Sequence, residues 1–363
     1  MAIPEVAVIG GGFVGLKTAI YLMENGYSDV TLIEAERDLA SRASSYNQFR
    51  VHRGYHYPRD IETAMESADS YDKFVAEYAD AIISGTKSYY AIAKGSLTDA
   101  DTFYDFNEYL GNPIYDATNE LKNEFNMNRV DAVFAVDEKF FDPSIVKKIL
   151  IQKAKDLGVR IMTNATVDTI KARREAGEMS LRGWQDGRYF MIRPGAIINC
   201  TYSGIDSIDG DVYKWDNELT YQLAEVARVR TINDYSRTGF TVLDGPYFSL
   251  TPRADISNHS LSHVTYTPHV EQDTPINITH TPSSKFKEML SDACRYMPRL
   301  KHTEYIDSHY EVKVLPKAQA ETAGRPITVK QEGERCFSIL GGKIDTISYA
   351  LDLALSKKLT ISS

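Results

Sequence analysis

The sequence has few cysteines, and their arrangement points to neither a disulfide nor a metal. Cys200, Cys294 and Cys336 are the only three among 363 residues, and they lie far apart with no CxxC pair. This spacing argues against a disulfide framework or a zinc site and favours a reducing compartment. His259 and His263 lie four apart in a strand-like stretch, where that spacing separates them by about 13 Å. We therefore expect no metal site and a cytoplasmic location.

The chain also lacks a concentrated basic patch and a long apolar run. It carries 41 basic and 50 acidic residues, a net charge of −9, and the basic residues are scattered. This pattern argues against nucleic acid as a partner. The first residues, MAIPEVAVIGGG, lack a basic segment, and three glycines interrupt their apolar run. We therefore expect neither a signal peptide nor a transmembrane segment.

A βαβ unit is the first positive feature of the sequence. Residues 5–9 (EVAVI) form a short apolar run that is typical of a strand buried on both faces. Residues 14–25 carry apolar side chains at helical spacing, and residues 29–33 (DVTLI) form a second strand. The three segments together have the length expected of one βαβ unit.

The loop between the first strand and the helix carries a dinucleotide-binding fingerprint. It reads Gly10-x-Gly12-x-x-Gly15, and Glu34 follows at the end of the second strand. Gly10 permits the tight turn, Gly12 lets the backbone approach a pyrophosphate, and Gly15 lets helix and strand pack closely. Glu34 would bind ribose hydroxyls and repel a 2′-phosphate. The fingerprint predicts an FAD or NAD site and disfavours NADP; an ordinary glycine-rich turn is the weaker alternative.

The remainder of the chain shows three further patterns. Asp142-Pro143 is an N-cap followed by proline, so a helix is expected over residues 142–157. Residues 215–315 alternate between apolar and polar residues, which indicates an antiparallel sheet with one solvated or pocket-lining face. Residues 336–357 repeat the opening pattern of a strand, a glycine turn and a helix.

Two segments resemble the D-amino-acid oxidase superfamily of FAD-dependent oxidoreductases. Residues 35–60 resemble its second flavin-binding segment, and residues 52–57 (HRGYHY) within them are similar to the 2-hydroxyglutarate and glycerol-3-phosphate dehydrogenase branch. Residues 141–166 resemble the helix and strand that lead to a residue whose backbone faces the adenine. In this sequence that residue is Val167.

Three shorter segments extend the resemblance over nearly the whole chain. Glycine oxidase is another member of the superfamily that the chain resembles. Residues 198–201 (INCT) are similar to a strand that typically reads N-A-T/A-G. Residues 324–326 (GRP) and 341–343 (GGK) match the substrate-arginine and flavin-contacting segments. The chain departs from the pattern before Gly204, where two extra residues stand, and at residues 330–335 (KQEGER), which replace the usual Asp-x-x-Pro. Both departures are compatible with FAD binding. Because of them, the resemblance does not imply the substrate specificity of the family for this chain.

The resemblance implies that FAD is the cofactor. The fingerprint and the following carboxylate would hold its ADP half, and the later segments would contact the flavin. The implied cofactor contacts are Gly10, Gly12, Gly15, Glu34, Arg42, Ser44, Ser45, Val167, Thr201, Gly341, Gly342, Lys343 and Ile344.

The resemblance also implies a substrate site beside the flavin. Arg325 is the candidate clamp for a substrate carboxylate, because a guanidinium binds it bidentately, and a surface ion pair is the alternative. His52 is a candidate general base or covalent flavin attachment, or a plain hydrogen-bonding histidine. Lys343 would stabilise the reduced anionic ring, or be a solvated lysine. Other candidate substrate contacts and pocket walls are Arg50, Tyr55, Tyr57, Tyr247 and Tyr266.

Only one dinucleotide fingerprint is present, so we expect the substrate itself to reduce the flavin. The resemblance implies an FAD-dependent oxidase or dehydrogenase that oxidises a C–N or C–OH bond of a small amino or hydroxy acid by hydride transfer to flavin N5. One alternative is a biosynthetic tailoring flavoenzyme acting on a sugar or carrier-bound amine or alcohol. Another is a flavin-binding subunit without turnover. Oxygen, a quinone and a partner protein are all open as the electron acceptor.

The expected fold is α/β plus α+β. A Rossmann-type FAD-binding domain would be assembled from residues 1–80, 140–214 and 316–363. An inserted antiparallel-sheet substrate domain would comprise residues 81–139 and 215–315.

Overall fold

The computed structural model describes residues 6–173, 178–211, 214–215, 218–255, 258–319, 324–325, 327–331, 335–341, 343–348 and 351. Its helices are α1 (Phe13–Glu24), α2 (Ile61–Glu77), α3 (Ala100–Tyr109), α4 (Thr118–Leu121), α5 (Pro143–Asp156) and α6 (Phe286–Tyr296). Its strands are β1 (Val6–Ile9), β2 (Val30–Ile33), β3 (Arg50–Val51), β4 (Lys87–Ala93), β5 (Ile114–Asp116), β6 (Val130–Val136), β7 (Lys139–Phe140), β8 (Arg160–Met162), β9 (Ala165–Arg173), β10 (Glu178–Gln185), β11 (Arg188–Ile192), β12 (Ala196–Asn199), β13 (Asp209–Gly210), β14 (Leu219–Arg230), β15 (Thr238–Leu243), β16 (Phe248–Pro252), β17 (Asn258–His263), β18 (Pro268–Gln272), β19 (Glu304–Pro316), β20 (Thr328–Gln331) and β21 (Cys336–Leu340).

A six-stranded sheet with a parallel centre forms the first layer. Its order is β20-β21-β12-β1-β2-β8, and only β20, at the edge, runs antiparallel to its neighbour. Every residue of β1, β2 and β12 is buried. Burial on both faces explains why these strands read as continuous apolar runs. One apolar cluster joins the sheet to α1 and α5, with Leu16 and Ile20 on α1 and Leu150 on α5 among its members.

Helix α5 forms where the proline pattern predicts it. The Asp142 carboxylate accepts a hydrogen bond from the Ser144 amide at 2.8 Å, which caps the helix, and Pro143 occupies its first turn. The helix ends at Asp156, just before Gly158, whose φ is 82°. The helix expected after Gly341-Gly342 is described only at residues 347, 348 and 351, which are helical.

A nine-stranded sheet forms the second layer. Its order is β18-β14-β17-β16-β15-β4-β6-β5, and β19 also pairs with β14. Buried residues alternate with half-buried ones along β14, as the period of two in this region predicts. Helix α6 contributes Met289 and Ala293 to an apolar cluster with Ala227 and Leu261 of the sheet. Strand β4 pairs with β15 in parallel, so strands from residues 87–136 and 219–316 share one sheet.

Two smaller sheets complete the fold. The strands β11-β10-β9-β13 form a four-stranded sheet, and the two-residue strands β3 and β7 pair with each other, Arg50 opposite Phe140. The expected mixed α/β class is therefore confirmed. The residue boundaries of the two domains stay a prediction. Within the described residues, no helix is long and apolar enough to cross a membrane.

Candidate active site

The turn after β1 requires glycine at two positions. Gly10 has a φ of 99°, and a Cβ there would lie 2.7 Å from the carbonyl oxygen of Cys200. A Cβ on Gly15 would lie 1.7 Å from the carbonyl oxygen of Gly10. Both separations are too short for a real contact. The glycine spacing therefore allows β1, α1 and β12 to approach as a dinucleotide fold requires.

The start of α1 lies against the 42–45 loop. Gly12 precedes the helix without a side-chain cap, and a Cβ there would lie 3.1 Å from Ser44 Oγ. Ser44 Oγ also accepts a hydrogen bond from the Phe13 amide at 3.0 Å. A helix N-terminus carries unpaired amides and a partial positive charge, which favours phosphate. The Cβ-free backbone and the nearby hydroxyl thus form a cradle that suits a pyrophosphate.

Glu34 lies at the tip of β2, directly beside this turn. Its Oε2 accepts a hydrogen bond from the Gly11 amide at 2.5 Å, and its Oε1 accepts one from the Glu36 amide at 2.8 Å. The carboxylate is therefore fixed in place, where it could accept hydrogen bonds from ribose hydroxyls. These residues fit the ADP half of a dinucleotide.

Other expected cofactor residues surround the same turn. Thr201 follows β12, and its Cα lies 3.0 Å from where a Gly10 Cβ would be. The Ala165 amide donates to the Glu34 carbonyl at 2.9 Å, which places the start of β9, and Val167 two residues on, near the end of β2. Ser45 Oγ donates to the carbonyl of Ala40 at 2.5 Å.

Arg42 links this turn to the large sheet. Its side chain forms ion pairs with Glu36 at 3.0 Å and with Glu311 of β19 at 2.8 Å. Gly341 is half-buried beside Ile327, and Ile344 packs against the apolar cluster that includes α1. Gly342 lies outside the described residues. The cofactor roles of all these residues stay predictions.

Arg50 on β3 ties the flavin-binding segment to the large sheet. Its Nη1 donates to the hydroxyl oxygen of Tyr90 on β4 at 2.5 Å, and its Nη2 donates to Thr241 Oγ1 on β15 at 2.7 Å. The carboxylate of Glu138 lies 3.4 Å from Nη1 and accepts a hydrogen bond from the Tyr90 hydroxyl at 2.8 Å. Burial opposes the charge of Arg50, but Tyr90 and Glu138 raise its pKa above the usual value. Arg50 therefore stays cationic in a buried site.

His52 lies next to this pair as a neutral imidazole. Its backbone amide donates to Asp345 Oδ2 at 2.9 Å, and its Nδ1 lies 3.4 Å from Glu138 Oε1. Burial lowers the pKa of His52 to about 3; Asp345 opposes this, while the charges of Arg50 and other nearby cations add to it. A neutral histidine can accept a proton, as the role of general base requires.

Lys343 is buried, so the alternative of a solvated lysine is wrong. Its Nζ donates to Ser67 Oγ at 2.7 Å and to the Thr63 carbonyl at 3.2 Å, both on α2. The ammonium also lies 4.9 Å from the ring centroid of Tyr57. Burial lowers the pKa of Lys343 to about 8, against the opposing charge of Asp345.

Arg325 and Lys313 are two basic residues that form no ion pair in the described part of the chain. The Arg325 amide donates to Thr63 Oγ1 at 3.0 Å, which places it beside α2 near Lys343. Burial holds the pKa of Lys313, on β19, well below its usual value, and the charge of Arg325 lowers it further. The Arg325 charge also lowers the pKa of His52. The structure thus places Arg325 near His52 and the large sheet, and no surface ion pair of Arg325 is present among the described residues.

The expected tyrosines separate into two groups. The ring centroid of Tyr57 lies 5.5 Å from that of His52, and Tyr55 lies 6.0 Å from Tyr90. Tyr247 instead packs on Tyr296 of α6 at 5.3 Å, and Tyr266 packs on His263 at 4.6 Å. These ring contacts lie on the α6 side of the large sheet, and none of the ring contacts of Tyr247 or Tyr266 among the described residues is with His52 or Arg50. The substrate role of Tyr247 stays a prediction.

The family assignment rests on a match that spans most of the chain. The model of the FAD dependent oxidoreductase family, DAO, matches residues 5–324. The chain belongs to this family. It is therefore an FAD-dependent oxidoreductase, and FAD is the cofactor that the Gly10–Glu34 site fits.

Known members of similar sequence or fold cover nearly the same length. The FAD-dependent monooxygenase FPY4 of Fusarium mangiferae is 26% identical over 97% of this chain and 90% of its own. Glycine oxidase from Geobacillus kaustophilus superposes with a TM-score of 0.72 at 14% identity, covering 99% of this chain and 95% of that one. L-alpha-glycerophosphate oxidase from Mycoplasma pneumoniae, with FAD bound, gives 0.70 at 18% identity, covering 98% and 94%. These two structures share the fold.

Sequence reasoning missed several residues of the charged site in this oxidoreductase. Glu138, Asp345 and Lys313 carry no motif signal, although Asp345 stands three residues after the Gly341-Gly342 turn. His56, whose ring lies 5.6 Å from that of His52, sits within the segment that resembled the superfamily but was not assigned a role. Among the described residues, no group of three or more His, Cys, Asp or Glu side chains could hold a metal.

Replacing Gly15 by alanine should weaken FAD binding by at least about tenfold, on the order of 1.4 kcal/mol. The added Cβ would lie 1.7 Å from the Gly10 carbonyl oxygen, so the turn that holds the pyrophosphate must move. Titrating the flavin-free protein with FAD and following flavin fluorescence measures this. The control is Gly158→Ala, where φ is also positive but the space is open. Equal FAD affinity in Gly15→Ala and wild type would contradict the assignment.

Lys343→Met should remove a pH-dependent part of the stability of the flavin-free protein. Burial lowers the pKa of Lys343 to about 8, whereas an unfolded lysine titrates near about 10.4. Between these values the unfolded chain binds more protons, so the free energy of unfolding rises with pH. From pH 7 to pH 9, wild type should gain about 1 kcal/mol relative to the variant, measured by urea titration.

The control for this experiment is Lys148→Met, on the exposed side of α5. Its stability difference from wild type should not change with pH. A constant difference between wild type and Lys343→Met over the same range would show that the folded-state pKa of Lys343 is not lowered.

Proposed function

We propose that this FAD-dependent oxidoreductase oxidises a C–N or C–OH bond of a small amino or hydroxy acid, with hydride transfer to flavin N5. The observation that carries the proposal is Arg325, a half-buried guanidinium that forms no ion pair among the described residues and whose charge lowers the pKa of the nearby His52. A cation that is partly withdrawn from water and has no counter-ion favours an anionic ligand. A substrate carboxylate supplies that charge.

The proposed roles follow from the polar groups of each side chain that have no hydrogen-bond partner among the described residues. Arg325 would bind the carboxylate bidentately, because only its backbone amide has a described hydrogen bond. Arg50 already donates from Nη1 and Nη2, and its buried Nε has no partner in the described part, so Nε is the group it could offer a substrate. Neutral His52 would accept the proton of the amine or hydroxyl. Tyr57 would form one wall of the site.

When bound, FAD supplies the two-electron acceptor for this oxidation. The side chains around it would orient the substrate carbon and hold charge. Lys343, buried beside Tyr57 and Asp345, would stabilise negative charge that develops on the ring. Two proteins of the same fold, named as a glycine oxidase and a glycerophosphate oxidase, support oxidation of a small amine or alcohol.

Monooxygenation is the second candidate. FPY4, which is 26% identical over 97% of this chain, is named an FAD-dependent monooxygenase. Such a reaction needs the flavin to be reduced by a separate donor, such as a nicotinamide, before oxygen reacts. The single dinucleotide fingerprint favours reduction by the substrate itself. A location in the cytoplasm and a carboxylate substrate remain parts of this proposal, supported by the free cysteines and by the guanidinium of Arg325.

Anaerobic mixing of the FAD-loaded protein with a panel of donors tests the proposal. The panel contains amino acids, hydroxy acids, their neutral amides, NADH and NADPH. We expect at least one amino or hydroxy acid to bleach the visible flavin band without a nicotinamide, and its amide to be ineffective. Bleaching by NADH or NADPH alone would contradict the proposal in favour of monooxygenation. No bleaching by any donor, with dithionite as the positive control, would favour a flavin-binding protein without turnover.

A further inference from the structure

Two buried polar atoms face each other at the centre of the site without a hydrogen-bond partner. They are Glu138 Oε1 and His52 Nδ1, which lie 3.4 Å apart. Buried polar atoms in folded proteins are nearly always paired, so an unpaired donor and acceptor this close require an explanation. The separation is slightly longer than a normal N–H···O hydrogen bond, and a small rotation of the imidazole would close it.

The Glu138 carboxylate is held from its other side. Its Oε2 accepts the hydroxyl of Tyr90 at 2.8 Å and lies 3.4 Å from Arg50 Nη1. Arg50 is anchored in turn by Thr241 and by the pairing of β3 with β7. With Oε2 directed to these donors, Oε1 is left to face the histidine.

The position of His52 is restricted as well. Its backbone amide donates to Asp345 Oδ2, and its ring packs against those of Tyr57 and His56, with centroid distances of 5.5 and 5.6 Å. The imidazole therefore has little freedom to turn Nδ1 away from Glu138. Nδ1 is directed to the carboxylate, and Nε2 is directed away from it.

We propose that Glu138 is a positioning residue that accepts a hydrogen bond from Nδ1–H of His52 and so keeps Nε2 unprotonated. A carboxylate beside one ring nitrogen sets which nitrogen carries the proton. The consequence for catalysis rests on the proposed function. There the substrate C–H leaves with its electron pair as a hydride to the flavin, and the amine or hydroxyl proton passes to Nε2. The product is an imine or carbonyl, and Glu138 faces the resulting imidazolium.

The tautomer of His52 tests the proposal without any substrate. Two-bond ¹H–¹⁵N correlation spectra of protein labelled at histidine nitrogen distinguish a protonated from an unprotonated ring nitrogen, and His52→Gln identifies the signals of this residue. The spectra are recorded on the FAD-loaded protein and on the flavin-free protein. We expect Nδ1 protonated and Nε2 unprotonated in both. Protonation at Nε2 with a bare Nδ1 would overturn the proposal.

Glu138→Gln provides a second, directional test. The oxygen of the new amide should keep accepting from the Tyr90 hydroxyl, on the side where Arg50 Nη1 lies 3.4 Å from Glu138 Oε2. Its NH₂ group would then face His52 and donate to Nδ1, which moves the ring proton to Nε2. We expect the Nδ1–H form to become the minority, and Glu138→Asp to restore it. An unchanged tautomer in Glu138→Gln overturns the assignment, whatever happens to turnover.

A matched control and a kinetic readout separate this role from a structural one. Asp137→Asn removes the neighbouring carboxylate, which pairs with Arg53 and Lys139, and should leave the His52 tautomer unchanged. With a reducing substrate in hand, Glu138→Gln should lower kcat by at least about tenfold with KM changed less than about twofold. If no amino or hydroxy acid reduces the flavin, the proposed function fails, while the tautomer measurement still decides the role of Glu138.

Discussion

The buried ion pair between Arg50 and Glu138 is the interaction on which the geometry of the site depends. It joins the segment after the dinucleotide fold to the large sheet, through Tyr90 on β4 and Thr241 on β15. Replacing a buried pair with apolar residues can be neutral, but removing one partner leaves an unpaired buried charge and costs about 3–5 kcal/mol. His52 Nδ1 lies 3.4 Å from Glu138 Oε1, so the orientation of the imidazole depends on this ion pair.

Around the pair, charged residues of both signs surround the site. Arg325 and Lys343 add basic side chains, Asp345 supplies a second buried carboxylate, and the charges of Glu66 and Asp60 also act on Lys343. Burial and neighbouring cations keep His52 neutral, so the site combines the guanidinium of Arg325 with an uncharged base. That combination suits the binding of an anion and removal of a proton from it. An anionic substrate and negative charge on the flavin would offset the cost of burying the cations.

The parts of the molecule that could be predicted from the sequence are those set by local spacing. The β1–α1–β2 unit, Glu34 at the strand tip and the proline-started α5 each depend on residues within one short segment. The sequence did not indicate Glu138 and Lys313 as residues of the site. Glu138 comes near His52, and Lys313 near Arg325, only because strands that are distant in sequence pair with each other. The parallel pairing of β4 with β15 was not foreseen for the same reason, since it joins segments about 150 residues apart in sequence. Tyr247 is a candidate pocket wall from the sequence, and its packing against Tyr296 depends on where α6 lies.

The most direct test of a cationic substrate site is the binding of an unreactive carboxylate beside the flavin. The FAD-loaded protein is titrated with benzoate and separately with benzamide, which has the same shape without the charge, while the visible flavin spectrum is recorded. The account predicts a saturable spectral change with benzoate and none with benzamide, and benzoate affinity at least about tenfold weaker in Arg325→Ala. Equal binding of the two ligands, or an affinity unaffected by Arg325→Ala, would contradict it.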